Sequence, residues 1–243
     1  MMDARGLQAV FFDAAGTLFE TRGSVGEIYG RVARRYGIAA DPGQLDADFV
    51  RCFRTQPPLA FPRGTPAAEL LRLERNWWRT LVECVFDGAA SPRFDEFFDD
   101  LFEFFRSGEA WQLYADTVPT LEALKARGLR LGVISNFDSR LYDVLRNLGL
   151  ARYFEAVYIS SRTGAAKPDP AIFQAALADN RLEPHCALHT GDSLREDAQG
   201  AAAAGLHAVW IDRKNEPVEA SGLTRITRLD ELLQLYHSDL TCP

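Results

Sequence analysis

The sequence predicts an α/β protein built on a parallel, doubly wound sheet. Five runs of strand length recur along the chain, and they cover residues 9–12, 129–134, 154–159, 187–190 and 207–211. These runs are almost continuously apolar, which is typical of parallel strands covered on both faces. Helical patterns follow the later runs, so we expect right-handed strand–helix–strand crossovers. The 243 residues allow one large domain or two smaller ones.

The first strand leads directly into polar residues. Asp13 follows Ala9–Phe12 at the carboxyl end of the strand, where open α/β sheets bind their ligands. Gly16 permits a tight turn, and the hydroxyl of Thr17 can hydrogen-bond an oxyanion. Asp13 is therefore a candidate functional carboxylate. The alternative is an aspartate that only caps a turn, because short motifs also match by chance.

Residues 20–108 show only helical patterns after a linker at 19–23. Helices are predicted over residues 25–36, 42–53, 67–87 and 93–106. The last of these carries an aromatic stripe, which indicates core packing, with a subunit interface as the alternative. The stripe consists of Phe94, Phe97, Phe98, Leu101, Phe102, Phe104 and Phe105.

A proline-rich segment interrupts the helical region. Residues 56–66 contain four prolines, which makes a rigid loop between two predicted helices. We favour a surface connector, and the alternative is a specificity loop over a functional site.

Polar residues also follow three of the later strands. Ser135 and Asn136 follow the second strand, Lys167 lies in a loop beyond the third, and Gly191-Asp192 follows the fourth, with Asp197 five residues further on. Pro168 and Pro170 stiffen the surroundings of the lysine. Helices are expected near residues 119–128, 138–149, 170–178, 195–204 and 229–236.

The order Asp, Ser, Lys, Asp on successive strand ends resembles the haloacid dehalogenase-like hydrolase superfamily, which contains many phosphatases and some dehalogenases. The resemblance covers residues 8–19 and roughly 110–215. It implies a Rossmann-like sheet of strand order 3-2-1-4-5 with an inserted α-helical cap. The core domain would then comprise residues 1–19 and 109–243, and the cap domain residues 20–108.

The resemblance also implies a Mg²⁺ site. Asp13, Asp192 and the backbone carbonyl of Ala15 would hold the ion, and Asp197 would be a further ligand or an outer-shell acceptor. Mg²⁺ takes oxygen ligands and pairs with substrate phosphates, and it would relieve the repulsion between two carboxylates. The alternative for Asp192 and Asp197 is an acidic pair favoured by a helix N-terminus.

The remaining positions are catalytic by the same resemblance. Asp13 would be the nucleophile that forms an aspartyl-phosphate or an alkyl ester. Thr17, Ser135 and the backbone amide of Asn136 would bind the transferred group, and Lys167 would neutralise its charge and hold Asp13 ionised. The substrate would be a small phosphorylated molecule.

Ala15 departs from the family pattern, because most family phosphatases carry a second aspartate there. That aspartate supplies general acid–base catalysis, a contribution of about 10²–10⁴-fold. Three interpretations stay open. The protein is a phosphatase with a good leaving group or a borrowed acid such as Glu20, a 2-haloacid dehalogenase, or a catalytically silent binding protein.

The dehalogenase branch shares the Asp-Ala-x-Gly-Thr-Leu-Phe loop, apart from Ala15, where that branch usually has an aromatic residue, and it also shares the Ser135-Asn136 step. It works without metal, however, and usually has Ser-Ser-Asn where this chain has Thr190-Gly191-Asp192, so the Gly-Asp pair favours phosphoryl chemistry. A phosphonate-cleaving branch needs a cap lysine, and residues 20–108 contain none.

Composition limits the partners. The net charge of −7, from 27 basic and 34 acidic residues, argues against nonspecific binding to nucleic acid or anionic membranes. No signal peptide or membrane-spanning run is apparent. Four cysteines without metal-ligand spacing, Cys52, Cys84, Cys186 and Cys242, are expected to be free thiols in a reducing compartment, the cytoplasm. A monomer and a homodimer are both compatible with the sequence.

Overall fold

A six-stranded parallel sheet forms the centre of the computed structural model, which describes residues 6–87, 92–215, 217 and 222–235. The sheet order is β5-β4-β1-β6-β7-β8. The strands are β1 (Ala9–Phe12), β4 (Arg130–Ser135), β5 (Ala156–Ile159), β6 (Ala187–Gly191), β7 (His207–Ile211) and β8 (Thr224–Ile226). Phe11 and Phe12 point into two different apolar clusters, so the sheet is covered on both faces.

The sheet differs from the predicted five strands by the added edge strand β8. The other five lie in the order 3-2-1-4-5 when they are counted among themselves. Strand β8 pairs with β7 through Ile226 opposite Ile211. Its three residues, Thr224–Ile226, are too short to give a periodic signal in the sequence.

A second, two-stranded sheet occupies the place of the predicted linker. Strand β2 (Phe19–Thr21) pairs antiparallel with β3 (Trp111–Leu113), with Thr21 opposite Trp111. The prediction of a linker over residues 19–23 is therefore wrong for its first three positions. The pairing joins segments about ninety residues apart, and a local pattern does not reveal it.

The helices between these two strands have an apolar core of their own. They are α1 (Val25–Arg34), α2 (Pro42–Thr55), α3 (Ala67–Val85) and α4 (Phe94–Arg106). Their buried side chains form one cluster in which Phe97, Phe98 and Leu101 are at most 2% exposed. The centre of the aromatic stripe on α4 is thus core, as the first interpretation expected.

The prediction of four free thiols is wrong, because Cys52 on α2 and Cys84 on α3 form a disulfide. Cys186 keeps a buried thiol, and Cys242 lies outside the described residues. The bond joins positions 32 residues apart whose Cα atoms lie 6.0 Å from each other, a proximity that only helix packing creates. Disulfides are rare in the cytosol, so the cysteines no longer support a reducing compartment.

The remaining helices flank the six-stranded sheet. They are α5 (Thr117–Ala126), α6 (Arg140–Asn147), α7 (Ser160–Thr163), α8 (Pro170–Asn180), α9 (Gly200–Ala203) and α10 (Leu232–Leu235). The helix predicted over 195–204 is instead a π-helical turn, Leu194–Gln199, followed by α9. The predicted last helix extends to residue 236, which lies outside the described residues. Among the described residues, no helix is long and apolar enough to cross a membrane.

Candidate active site

The polar residues predicted from the sequence meet at the carboxyl edge of the sheet. Asp13 follows β1, Ser135 ends β4, and Asp192 follows β6. Because β1 pairs with β4 on one side and with β6 on the other, these three strand ends are neighbours. Lys167 reaches the same point from a loop and Asp197 from the π-helical turn Leu194–Gln199, so the structure brings together five of the predicted positions.

Lys167 is the centre of this arrangement. Its side chain is 1% exposed, and its Nζ donates to Asp13 Oδ1 at 2.7 Å, to Asp197 Oδ1, and to the Ile134 carbonyl at 2.9 Å. Burial alone would lower the pKa of Lys167, but the two carboxylates raise it above its ordinary value. The side chain is therefore an ammonium ion whose three protons all have acceptors.

Asp13 is buried, and its charge depends on its neighbours. Burial raises the pKa of the Asp13 carboxyl, Lys167 opposes this, and Asp197 raises it further, with a raised pKa as the result. A hydrogen bond from Ser135 favours the ionised form. A second cation beside Asp13 would complete its ionisation, which a carboxylate nucleophile requires.

The Asn136 side chain is hydrogen-bonded to the backbone of Lys167. Its Oδ1 accepts from the Lys167 backbone amide at 2.7 Å, and its Nδ2 donates to the Lys167 carbonyl at 3.0 Å. The same Nδ2 also donates to Glu196 Oε2 at 3.0 Å. The Asn136 side chain thus fixes the loop that presents Lys167, a role that the sequence analysis did not assign.

Three carboxylates at the site could hold a metal ion. Asp13, Asp192 and Asp197 each offer an oxygen within 4.8 Å of the others. Gly16, at φ +84°, makes room for one of them, because a Cβ there would lie 2.4 Å from Asp192 Oδ2. A Cβ on Gly191 would collide with the Asp197 carboxylate in the same way. An all-oxygen set of this size fits Mg²⁺.

The crowding of the three carboxylates changes the pKa of Asp192. Although Asp192 is exposed at the surface, partial desolvation and then the charges of Asp13 and Asp197 raise its pKa to about 7. A divalent cation would reverse this shift by giving the three carboxylates a common partner. The donor set therefore fits the ion that the sequence analysis expected.

The Asp197 carboxylate is hydrogen-bonded to several protein groups. Besides Lys167, it accepts from the Ser193 amide at 3.0 Å and contacts His189 Nε2 at 2.8 Å. Burial raises the pKa of Asp197, but Lys167 and His189 outweigh it and hold the pKa below its usual range. Of the two roles predicted for Asp197, these bonds fit an outer-shell acceptor better than a direct ligand of Mg²⁺.

Two supporting residues were missed in the sequence. His189 is fully buried on β6, and a histidine inside an apolar strand was the available signal. Arg213 donates to the Thr17 carbonyl at 2.6 Å and pairs with Asp116, which holds the loop after β1 in place. The Thr17 hydroxyl is buried and has no hydrogen-bond partner among the described residues.

A cleft of ≈ 550 Å³ opens beside the site, and Ala15 and Lys167 form part of its wall. Pro57, Pro58 and Leu59 line it as well, so the proline-rich loop reaches the site. This position favours the specificity loop over the surface connector that the sequence analysis preferred.

A second cleft, of ≈ 800 Å³, meets the first at Ala15 and contains Asp192 and Glu20. Glu20 Oε1 accepts from Gln112 Nε2 at 2.8 Å across the β2–β3 pair. Glu20 is the residue suggested as a borrowed acid. It therefore shares a cleft with Ala15, the position where most family phosphatases carry the acidic aspartate.

Known proteins resemble this chain in sequence and in fold. The family model for haloacid dehalogenase-like hydrolases matches residues 7–205. Haloacid dehalogenase-like hydrolase domain-containing protein 3 of Mus musculus is 33% identical over 238 residues, which cover 95% of this chain and 92% of that protein.

Two solved structures have the same fold over nearly the whole chain. An HAD phosphatase from Thermococcus onnurineus is 27% identical with a TM-score of 0.64, covering 94% of this chain and 97% of that one. A 2-haloacid dehalogenase from Pseudomonas syringae pv. Tomato DC3000 is also 27% identical, with a TM-score of 0.60 and the same two coverages. Phosphatases and dehalogenases therefore both occur among similar proteins.

Proposed function

The chain belongs to the haloacid dehalogenase-like hydrolase family, and on that basis we propose that it is a Mg²⁺-dependent phosphatase for a small phosphorylated metabolite. The observation that carries the proposal is the group of three carboxylates, Asp13, Asp192 and Asp197, gathered at one sheet edge around Lys167. A dehalogenase site, in which a carboxylate displaces the halide and forms an alkyl ester, needs one nucleophilic carboxylate. Lys167 already pairs with Asp13 and Asp197, so the third carboxylate is favourable only beside a further cation.

Asp13 is the nucleophile in this mechanism. Its carboxylate attacks the phosphorus atom, the bond to the leaving oxygen breaks, and an aspartyl-phosphate forms. Lys167 holds Asp13 ionised and neutralises charge on the transferred group. The Ser135 hydroxyl and the backbone amide of Asn136 bind the oxygens of that group. Water then attacks the aspartyl-phosphate, which releases phosphate and restores Asp13.

Asp13, Asp192 and the Ala15 carbonyl would hold Mg²⁺, with Asp197 behind them. When bound, the ion supplies positive charge that offsets the negative charge of the phosphoryl group and of the carboxylates. Ala15 still contributes its carbonyl, because the substitution removes only a side chain. What the chain lacks at this position is a proton donor.

A 2-haloacid dehalogenase is the second candidate. A halide leaves without protonation, so Ala15 costs that reaction nothing, and the cleft beside Ala15 is largely apolar. The likeness to a solved 2-haloacid dehalogenase also favours it. The crowded carboxylates weigh against it, since that branch works without metal.

The test is Mg²⁺-dependent hydrolysis of p-nitrophenyl phosphate, whose leaving group hardly needs an acid. We expect turnover with Mg²⁺, loss of turnover with EDTA, and a loss of at least about 10³-fold in Asp13→Asn, because the covalent step disappears. Asp179→Asn is the matched control, since Asp179 is an exposed carboxylate outside the site.

Other outcomes would select the other readings. Metal-independent halide release from 2-chloropropionate that also requires Asp13 would establish the dehalogenase. Absence of turnover on a broad panel of phosphate esters and haloacids would indicate a binding protein.

A further inference from the structure

We infer that the leaving group of the substrate is aromatic, so that the substrate class is phosphate monoesters of flat aromatic hydroxyl compounds. The inference rests on the proposed phosphatase function and deepens it. Two observations carry it: the missing proton donor at Ala15, and the aromatic lining of the cleft into which Ala15 faces.

The first observation concerns the proton. Ala15 has no donor, and the Lys167 ammonium is committed to Asp13, Asp197 and the Ile134 carbonyl. Two carboxylates lie near Ala15. Glu196 Oε2 accepts from the Asn136 side-chain amide, and Glu20 in the adjoining cleft accepts from Gln112 Nε2. An alkoxide is a strong base and leaves slowly without a proton, whereas a phenolate is stable enough to leave as the anion.

The second observation concerns the wall of the cleft. Phe53, Trp77 and Trp78 from the helical region face Trp111 and Phe137 from the sheet side. Phe53 and Trp77 meet edge to face with centroids 5.8 Å apart, and Trp77 and Trp78 do so at 5.0 Å. Offset and edge-to-face contacts of this kind are those that an aromatic ligand makes.

A smaller cavity of ≈ 100 Å³ extends this surface. It shares Trp78, Trp111 and Phe137 with the cleft, and its lining is almost entirely apolar. The one charged side chain in its wall, Arg140, is paired with Asp138 at 2.7 Å and lies over the Phe102 ring. The cavity therefore offers space mainly to an apolar substituent.

Positive charge in the cleft fits the phosphate end of such a molecule. Arg54 and Arg195 are exposed and line the same cleft. Two guanidinium groups favour the approach of a phosphate dianion. The molecule that fits has an anionic phosphate next to Lys167 and a flat apolar body between the tryptophans.

The chemical step balances without a protein acid. The Asp13 carboxylate forms a bond to phosphorus while the phosphorus–oxygen bond to the ring breaks, and its electron pair stays on the phenolate oxygen. The phenolate takes a proton from water after release. Water later cleaves the aspartyl-phosphate to inorganic phosphate, so no oxidant or further reactant is required.

The first experiment measures kcat/KM for 4-nitrophenyl, phenyl and ethyl phosphate with Mg²⁺. Ala15→Asp restores the acid and should raise the ethyl phosphate rate by about 10²–10⁴-fold, while the 4-nitrophenyl rate changes little. The aryl-to-alkyl ratio should thus fall at least about 100-fold. Ala15→Asn, which has similar size and cannot act as the acid, should keep the original ratio.

The second experiment measures binding without chemistry, by calorimetry with Mg²⁺ and two non-hydrolysable phosphonates. Phenylphosphonate should bind at least about 10-fold more tightly than methylphosphonate. Phe53→Ala should reduce this preference by about 2- to 10-fold, the value of one aromatic contact. Val50→Ala on the same helix should leave it unchanged, because Val50 is similarly exposed and lies outside the cleft lining.

Several outcomes would overturn the inference. Equal binding of the two phosphonates, or ethyl phosphate hydrolysis as fast as phenyl phosphate hydrolysis in the unmodified chain, would do so and leave the phosphatase function intact. Selective loss of ethyl phosphate hydrolysis in Glu196→Gln or in Glu20→Gln would reveal a substitute acid and would also overturn it. Failure to hydrolyse any phosphate ester would instead remove the proposed function itself.

Discussion

At the scale of single residues, Asp192 combines two opposing demands. It must be ionised to bind a metal ion, yet partial desolvation and the charges of Asp13 and Asp197 raise its pKa to about 7. Gly16 brings the loop so close that any side chain there would displace the carboxylate. The residue is therefore placed where its charge is unfavourable until a cation arrives.

Asp192→Asn tests this directly. We expect Mg²⁺ to stabilise the unmodified protein by about 2.7 kcal/mol at a hundred times its dissociation constant, which raises Tm by about 5–10 °C. The asparagine variant should show a higher Tm than the unmodified chain in EDTA, because one repulsive charge is gone. It should also show little further rise with Mg²⁺.

Differential scanning calorimetry in EDTA and in Mg²⁺ provides the measurement, with Asp179→Asn as the control. An undiminished Mg²⁺ shift in Asp192→Asn would mean that Asp192 is not a ligand.

At the scale of elements, helix α3 is held to the sheet side by buried polar bonds. Glu74 is 1% exposed, and its Oε1 accepts from the Ser139 amide at 3.1 Å, the Ser139 hydroxyl at 2.9 Å and the Ser161 hydroxyl at 2.6 Å. One turn further along, Trp78 Nε1 donates to Asp138. These contacts fix the wall of the cleft over the site.

The Glu74 contact should make stability depend on pH. Burial raises the pKa of Glu74 above its ordinary value of 4.5. Above that value the folded state keeps a proton that the unfolded chain has lost, so the free energy of unfolding falls as pH rises towards the folded-state pKa. Glu74→Gln keeps an oxygen for all three bonds and removes the titration, so its unfolding free energy should be less pH-dependent.

Urea unfolding between pH 4 and pH 8 measures this difference. Glu74→Ala should lower the unfolding free energy by about 1–3 kcal/mol throughout, because it leaves serine donors without an acceptor. Glu83→Gln, an exposed change on the same helix, is the control. Parallel pH curves for the unmodified chain and Glu74→Gln would show that Glu74 does not titrate in this range.

At the scale of the whole molecule, the buried apolar residues of the described part of the chain form three groups. One group packs among α1 to α4, and the others cover the two faces of the sheet. The β2–β3 pair marks the passage between them, where the Arg22 amide donates to the Ala110 carbonyl at 2.8 Å. We propose residues 20–108 as a cap domain on this basis, with the core formed by 1–19 and 109–243.

Excision of the cap tests this division. Replacing residues 23–109 with Asn-Gly would close β2 and β3 into a hairpin of favourable turn type. Every carboxylate of the site comes from the core, so the shortened protein should fold cooperatively and keep its Mg²⁺-induced rise in Tm. It should lose the preference for phenylphosphonate, because Phe53, Trp77 and Trp78 are gone.

Circular dichroism and calorimetry on the shortened chain measure both properties. A shortened protein without a cooperative transition would show that cap and core depend on each other and would contradict the proposed domains.

Local patterns in the sequence were enough to predict the five main strands, most of the helices and the polar residues at the strand ends. Asp13, Ser135 and Asp192 were predictable because parallel strands end at one edge, so chain order alone brings such residues together. Family resemblance added the role of Lys167, for which the loop itself offered only the nearby prolines Pro168 and Pro170.

Contacts between distant segments were decided only by the tertiary structure. The β2–β3 pair, the Cys52–Cys84 disulfide and the Glu74 contact with Ser139 all join positions whose local sequence is silent about the partner. The aromatic cleft arises in the same way, because its two walls come from helices and strands that are far apart in the chain. The sequence by itself determined which residues are proposed to carry the chemistry, and packing decided what surrounds them, because the partners of each side chain come from distant segments.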